Sequence, residues 1–550
     1  MKNQSITNKS YSTPKTLTRR DFLAKSLLTA AAISFPSQLT AQPSSKKPRK
    51  KVIVIGAGLA GLSCAYELTK KGHDVLIFEA SDRHGGRVQT LREEFSYGAF
   101  AEAGAYWLSK RHQSVNYYIK EFSNDVGLKK METEVITDGR KPFIHHINGH
   151  AIPTMILPPQ AIHAGGGLND PMPDLNHWPT ELSLRDDEKQ GDLLGLLIKL
   201  CMSYTTADQQ AIEHLRSVSL LDHFRSQGFS NGAIALLRPW FGWWDNLDRI
   251  SAYYALRDFV HSQGRCKQGA PDPFEWFTLK NGMDFLPNAF ANTLNEKIRY
   301  QSPVVAMSQN VDSATIQYKT PSGEQKVESG DFLVCAIPFS TLRKIKDLPD
   351  FSSGKKSAIE QLSYASVSRI YLQFKERSWD PQKKLNGYGF TDVLFGERRE
   401  PHIEVCGMNL LDMTYYNQDT PQAILQAYLV GDQARLVATM DKDTRNKEFL
   451  KITKEILFPS IRAEIEASYV GGTSKCWDEE EWALGAYPSF EPNSLSTLMH
   501  SIRFPEWRIC FAGEHTSDFP GWVEGALQSG RRAASEIDPS VSPEVGEMTI

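Results

Sequence analysis

Residues 51–61 read Lys-Val-Ile-Val-Ile-Gly-Ala-Gly-Leu-Ala-Gly, a β-branched run that ends in three glycines at the spacing GxGxxG. The run suits a strand buried on both faces of a parallel sheet. A helix is predicted next over 62–71, with Gly72 placed to end it, then a second strand over 74–78 that delivers Glu79. Each glycine has its own physical task. Gly56 permits the tight turn out of the strand, Gly58 lets backbone approach a pyrophosphate, and Gly61 lets helix and strand pack closely. Leu59 and Ala60 stand between them at the helix N-terminus, whose free N–H groups and partial positive charge suit phosphate. Glu79 lies 18 residues past Gly61 and is followed by Ala80, a position from which a carboxylate accepts ribose hydroxyls. Strand, glycines, helix, strand and acid in this order predict an α/β unit that binds a dinucleotide.

The chain is too long for that unit alone. At 550 residues it exceeds one ordinary core and is expected to hold several domains, or two large interleaved ones. With 41% hydrophobic and 23% charged residues it is not a disordered chain, and 62 basic against 65 acidic residues leave a net charge of -3. No bulk field therefore invites nucleic acid or an anionic membrane. No apolar run reaches the roughly 18 residues of a membrane span. The seven cysteines (Cys64, Cys201, Cys266, Cys335, Cys406, Cys476 and Cys510) form no CxxC pair and lie by no tight histidine cluster. No metal site is expected from them; they read as buried packing residues or free thiols.

Ahead of the fold, Thr18-Arg19-Arg20-Asp21-Phe22-Leu23-Ala24-Lys25 and the mild apolar stretch 26–35 resemble a twin-arginine export signal. The expectation is a removed segment over 1–41, a basic linker over 42–50, and a periplasmic protein exported folded with its cofactor already inserted.

The residues just past Glu79 decide between NAD and FAD. In Ser81-Asp82-Arg83-His84-Gly85-Gly86-Arg87-Val88, Gly86 and Arg87 can bring backbone and a guanidinium against the second side of a pyrophosphate. ExxxxxGGR after such a start resembles the flavin amine oxidase superfamily, which includes monoamine, polyamine and L-amino-acid oxidases. The far end agrees: Arg508-Ile509-Cys510-Phe511-Ala512-Gly513-Glu514-His515-Thr516, then Gly521-Trp522-Val523-Glu524-Gly525-Ala526-Leu527, is similar to the family's closing FAD motif. Intermediate matches are Asn281-Gly282-Met283-Asp284-Phe285-Leu286-Pro287, Ser302-Pro303-Val304-Val305 and Val334-Cys335-Ala336-Ile337-Pro338, so the likeness covers nearly all of 50–540.

The resemblance implies a monoamine oxidase-like fold, a Rossmann-type FAD-binding domain interleaved with an α+β substrate-binding domain. The FAD domain would take 51–110, 281–345 and 481–540; the substrate domain would take 111–280 and 346–480, leaving 541–550 as a tail. It also implies that Val304 holds the adenine through its backbone and that Glu514 contacts FAD near its ribityl or phosphate end. Gly104, Ala105, Tyr106 and Trp107 would lie under the flavin, and Gly521, Trp522 and Val523 would open the helix beneath it.

The implied reaction oxidises a primary or secondary amine to an imine that water hydrolyses, with O2 reduced to hydrogen peroxide. Flavin does the chemistry while the protein orients and protects, so no general base with a loud signature is needed. Tyr487 and Trp522 take the places of two aromatic walls before the flavin face. Ala486 stands where mitochondrial monoamine oxidases carry the flavin-linking cysteine, so FAD is expected without a covalent link. Two positions depart from the family. Arg369 replaces a lysine that is bonded through water to the flavin N5 atom; an arginine will not deprotonate, which puts fast reaction with O2 in doubt and opens the way to another acceptor. Trp107 replaces the arginine with which L-amino-acid oxidases grip the substrate carboxylate. Its loss favours an amine without that group, with an L-amino-acid oxidase giving a 2-oxo acid and ammonia as the alternative. Further alternatives are a catalytically weak flavin-binding partner protein and a carbon–carbon desaturase. A homodimer is left open.

Other features carry less. Residues 364–374 alternate apolar and polar, as a half-buried strand does, and 153–179 is rich in proline and glycine, a long loop or a lid. Trp240, Phe241, Trp243 and Trp244 read as helical core rather than cavity lining. His145, His146 and His150 have no trusted metal spacing.

Overall fold

The structure, a computed structural model, describes residues 48–123, 133–135, 143–147, 150–154, 200, 203–241, 245–262, 276–379, 388–391, 408–412 and 422–545. Residues 1–47, where an export signal is expected, Cys201, Cys266, Cys406, Trp243, Trp244 and most of 153–179 lie outside the described residues. So do the side chains of Trp240, Phe241 and the three histidines.

Strand β1 (Lys51–Ile55) forms where the β-branched run predicts, and Val52, Ile53 and Val54 are wholly buried. Helix α1 (Leu59–Lys70) begins three residues before the predicted start. The reason is local: Gly58 adopts an extended backbone (φ -72°, ψ 170°) and serves as N-cap, so the helix opens inside the glycine motif. β2 (Asp74–Phe78) pairs with β1 in parallel, Val52 opposite Val75. A five-stranded parallel sheet results, in the order Ile298–Arg299, β2, β1, Phe332–Cys335, Ile509–Phe511. Its strands come from widely separated stretches of chain. The C-terminal helix of the unit, Val523–Ile537, is tied to α1 by a buried ion pair between Arg531 and Glu67, which Tyr118 joins through a hydroxyl bond of 2.8 Å to Glu67.

A second, seven-stranded sheet carries β3 (Val367–Phe374), flanked by β4 (Ala423–Val430) and β5 (Tyr469–Cys476), both antiparallel to it. His145, His146 and His150 belong to two strands at the far edge of this sheet, and among the described residues no group of acids, cysteines or histidines could hold a metal ion. All eight residues of β3 are buried, which corrects the half-buried reading. The alternation is real, but both faces are covered. Ile370, Leu372 and Phe374 pack with Ala434, Val437, Phe449 and Ile452 of two helices behind the sheet. Arg369, Tyr371 and Gln373 meet the chain at 96–102: Arg369 and Tyr371 donate to the Glu102 carbonyl, and Gln373 exchanges two 3.0 Å hydrogen bonds with the Ser96 backbone. Periodicity separates two faces; it does not say that one is wet.

The four described cysteines, Cys64, Cys335, Cys476 and Cys510, are buried and free, as expected. No helix among the described residues is long and apolar enough to cross a membrane.

Candidate active site

A cavity of about 510 Å³ is lined both by the C-terminal end of β1 and by residues of β3, β4 and β5. Every candidate residue of the sequence motifs borders it except Gly61.

The glycine motif divides as its spacing predicts. Gly56 takes a left-handed φ of +99°, which a side chain would strain. Nothing lies within 4 Å of where a Cβ on Gly58 would sit, so the open space there is the cavity itself. A Cβ on Gly61 would lie 2.0 Å from the Gly56 carbonyl oxygen, so this glycine serves packing. The Gly85-Gly86 loop rests on the first: Gly85 N–H donates to the Ala57 carbonyl at 2.9 Å, and Gly58 and Gly85 form a parallel bridge. Glu79 is held at the cavity wall by the Ala57 N–H at 2.7 Å and by the Ser81 N–H and hydroxyl at 2.9 and 2.8 Å. Ala80 and Val304 line the cavity with it, as do Leu59 and Ala60 at the start of α1. Open backbone donors at a helix start, a fixed carboxylate and a second glycine loop fit an adenine dinucleotide.

Arg87 is held by protein groups on two sides. Its Nη1 sits 2.7 Å from Glu514 Oε1 and donates to the Ala486 carbonyl at 2.8 Å, while the Gly521 N–H donates to Glu514 Oε2 at 2.7 Å. One guanidinium thus joins both glycine-bearing motifs to the stretch that holds Tyr487.

Around the remainder of the cavity the lining is aromatic. Gly104 and Ala105 lead to Tyr106 and Trp107, whose rings meet edge-on at 5.6 Å. The Tyr487 hydroxyl shares a 2.8 Å hydrogen bond with that of Tyr428 on β4. Trp522, beside Gly521 and Val523, donates its indole N–H to Asp258 at 2.8 Å, and the His112 ring packs against it edge-on. Burial raises the Tyr487 phenol well above its ordinary value. Arg369 lies under the Tyr106 and Tyr428 rings at 5.1 and 4.8 Å and donates to the Glu102 carbonyl at 2.5 Å.

Glu102 has its own electrostatics. Its carboxyl accepts from the Met283 N–H and the Thr90 hydroxyl, yet burial pushes it up from 4.5 to about 8. Between those values the folded protein holds a proton that the unfolded chain releases, so stability falls as pH rises through that window, by up to about 1.4 kcal/mol per pH unit. Glu102→Gln should flatten this slope in melts taken from pH 5 to 8; an unchanged slope would assign the decline to other groups.

Several site residues had weak or no local signal. Tyr428 reaches Arg369 only by strand pairing. Trp477, whose indole donates to the Ala103 carbonyl at 2.9 Å, and Lys475, paired with Glu480 at 2.5 Å, line the cavity from β5 and just beyond it. Asp258 lies at the start of a short π-helical turn, Asp258–Ser262, remote in sequence from Trp522. Ala336, Ile337 and Pro338 stood in a recognised motif and prove to be lining.

The parallel sheet, the cavity and its two glycine loops define a flavoprotein oxidoreductase. The chain belongs to the flavin-containing amine oxidoreductase family, whose sequence model matches residues 59–538. It is 29% identical over 498 residues to the Bacillus subtilis (strain 168) protein named "Putative L-amino-acid oxidase YobN", covering 90% of this chain and 96% of that one. It is 25% identical to the L-amino-acid oxidase of Vipera ammodytes ammodytes, covering 89% of this chain and 93% of that one. Among solved structures, cyclohexylamine oxidase from Brevibacterium oxydans IH-35A superposes with a TM-score of 0.68 at 19% identity, covering 90% of this chain and 99% of that one; this likeness concerns the fold.

Proposed function

We propose that this protein is an FAD-dependent oxidase that converts the CH–NH group of a small molecule to an imine, which water hydrolyses to a carbonyl compound and ammonia or an amine. O2 takes up the two electrons and two protons as hydrogen peroxide. The observation that carries this reading is that one cavity joins the dinucleotide cradle at Gly58 and Glu79 to the aromatic residues Tyr487 and Trp522. Bound FAD supplies the electron acceptor for the C–H bond. The chain's own residues bind, orient and enclose. Trp522 is anchored through Asp258 and Tyr487 through Tyr428, so both rings are fixed before substrate arrives. Tyr106 and Trp107 narrow the cavity and help exclude water.

FAD is held without a covalent bond in this reading: Ala486 borders the cavity, and among the described residues no cysteine does. Export through the twin-arginine route rests on Arg19-Arg20 and the stretch after them.

The test is anaerobic mixing of the yellow protein with pools of amines and of L-amino acids. Loss of the visible flavin absorbance, and its return with peroxide when air is admitted, is the expected result. No bleaching by any amino compound would overturn the oxidase reading in favour of a flavin-binding partner protein. Bleaching with slow recovery in air would overturn O2 as acceptor.

A further inference from the structure

Arg369 is 5% exposed, and arginine stays charged at any working pH. A buried cation normally has a carboxylate beside it, because water can no longer solvate it. Arg369 has none among the described residues. Its neighbours are the Glu102 carbonyl, the hydroxyls of Tyr371 and Tyr428, and the rings of Tyr106 and Tyr428; its Nε has no hydrogen-bond partner. Ring faces attract a cation but do not neutralise it.

The acids of this region are committed elsewhere. Glu514 is paired with Arg87, Glu480 with Lys475, and Glu79 is bonded to Ala57 and Ser81. The Glu102 carboxyl is bonded to Thr90 and Met283. Arg369 borders the same cavity as Tyr487 and Trp522, through Tyr428, which touches both Arg369 and Tyr487. A missing counter-charge at the wall of a substrate cavity is a statement about the substrate.

We propose that Arg369 binds the carboxylate of the substrate, so that the substrate class is amino acids rather than simple amines. The loss of an arginine at Trp107 is then compensated from β3: the cation enters from the seven-stranded sheet instead of from the segment after Gly104. This deepens the oxidase reading and rests on it for the identity of the reaction, but carboxylate binding can be measured without turnover.

The holoenzyme is titrated in air with benzoate and with benzamide, a neutral molecule of nearly the same shape, and the shift of the flavin visible band is followed. Benzoate should bind at least about tenfold more tightly, since a charge-assisted pair replaces a neutral contact. Arg369→Gln should remove that preference with FAD still bound; Arg369→Lys, which keeps the charge and loses the planar fork, should keep part of it. Equal binding by the wild type, or a preference that survives in Arg369→Gln, overturns the anchor. If Arg369→Gln does not retain FAD, the wild-type pair and Arg369→Lys decide. In parallel, L-phenylalanine should bleach the flavin more efficiently than 2-phenylethylamine. Bleaching by both alike, with no benzoate preference, sinks the anchor and leaves the oxidase. A benzoate preference without bleaching by any amino compound sinks the oxidase and leaves an anion site.

Discussion

Gly58→Ala should fold as the parent chain does and fail to keep its FAD. The position has open space on its Cβ side, so the apo protein gains no clash. The methyl group would instead occupy space into which the pyrophosphate must come, holding it off the N–H groups at the start of α1. Losing one or two hydrogen bonds to a charged group costs about 3 kcal/mol, or roughly a hundredfold in affinity. Gly61→Ala, three residues on, should behave in the opposite way. Its methyl would overlap the Gly56 carbonyl oxygen, and rigid backbone cannot move aside as a side-chain tip can. A loss of about 3 kcal/mol or more in stability is expected before any cofactor is considered. Apo-protein melts and FAD titrations of the two variants separate the cases. If Gly58→Ala destabilised the apo protein as much as Gly61→Ala, its role would be packing.

Arg87→Leu should be the most damaging single change outside the glycines. The carboxylate it leaves behind, Glu514, has a side chain only 9% exposed and would keep the Gly521 N–H but lose its counter-ion. Removing one partner of a buried ion pair costs about 3–5 kcal/mol. The Ala486 carbonyl would lose its donor as well, releasing the stretch that carries Tyr487. The variant should melt earlier and purify colourless. Glu514→Gln in the same background should restore part of the stability, because a neutral amide tolerates burial without a counter-ion. A double variant no more stable than Arg87→Leu would show that the cost lies in lost packing.

What could be read from the sequence was what neighbouring residues decide together. The turn at Gly56, the open place at Gly58 and the acid at Glu79 lie within one βαβ unit, where spacing dictates geometry. Trp522 and Tyr487 were found because recognised motifs surround them. Their supports were not: Asp258 and Tyr428 come from elements with no local mark, brought in by tertiary packing and strand pairing. Arg369 was visible as a departure from its family, but its surroundings were not. Whether a charge on a strand is paired depends on β4 and on the segment at Glu102, which periodicity cannot report. The same blindness made β3 read as half-exposed when its polar side is buried against another part of the protein.

The parallel sheet has a consequence for synthesis on the ribosome. Its strand at Ile509–Phe511 and the helix after it emerge almost last, yet that strand lies at one edge of the sheet begun by β1 and the helix grips α1. A nascent chain that has not yet reached Ile509 has translated the glycine motif and Arg87 but has neither Glu514 nor Trp522. Many proteins fold from the N-terminus as they are made; here the first unit stays unfinished until translation is nearly over. A ribosome that stalls before Ile509 would therefore leave a chain unable to close its nucleotide site.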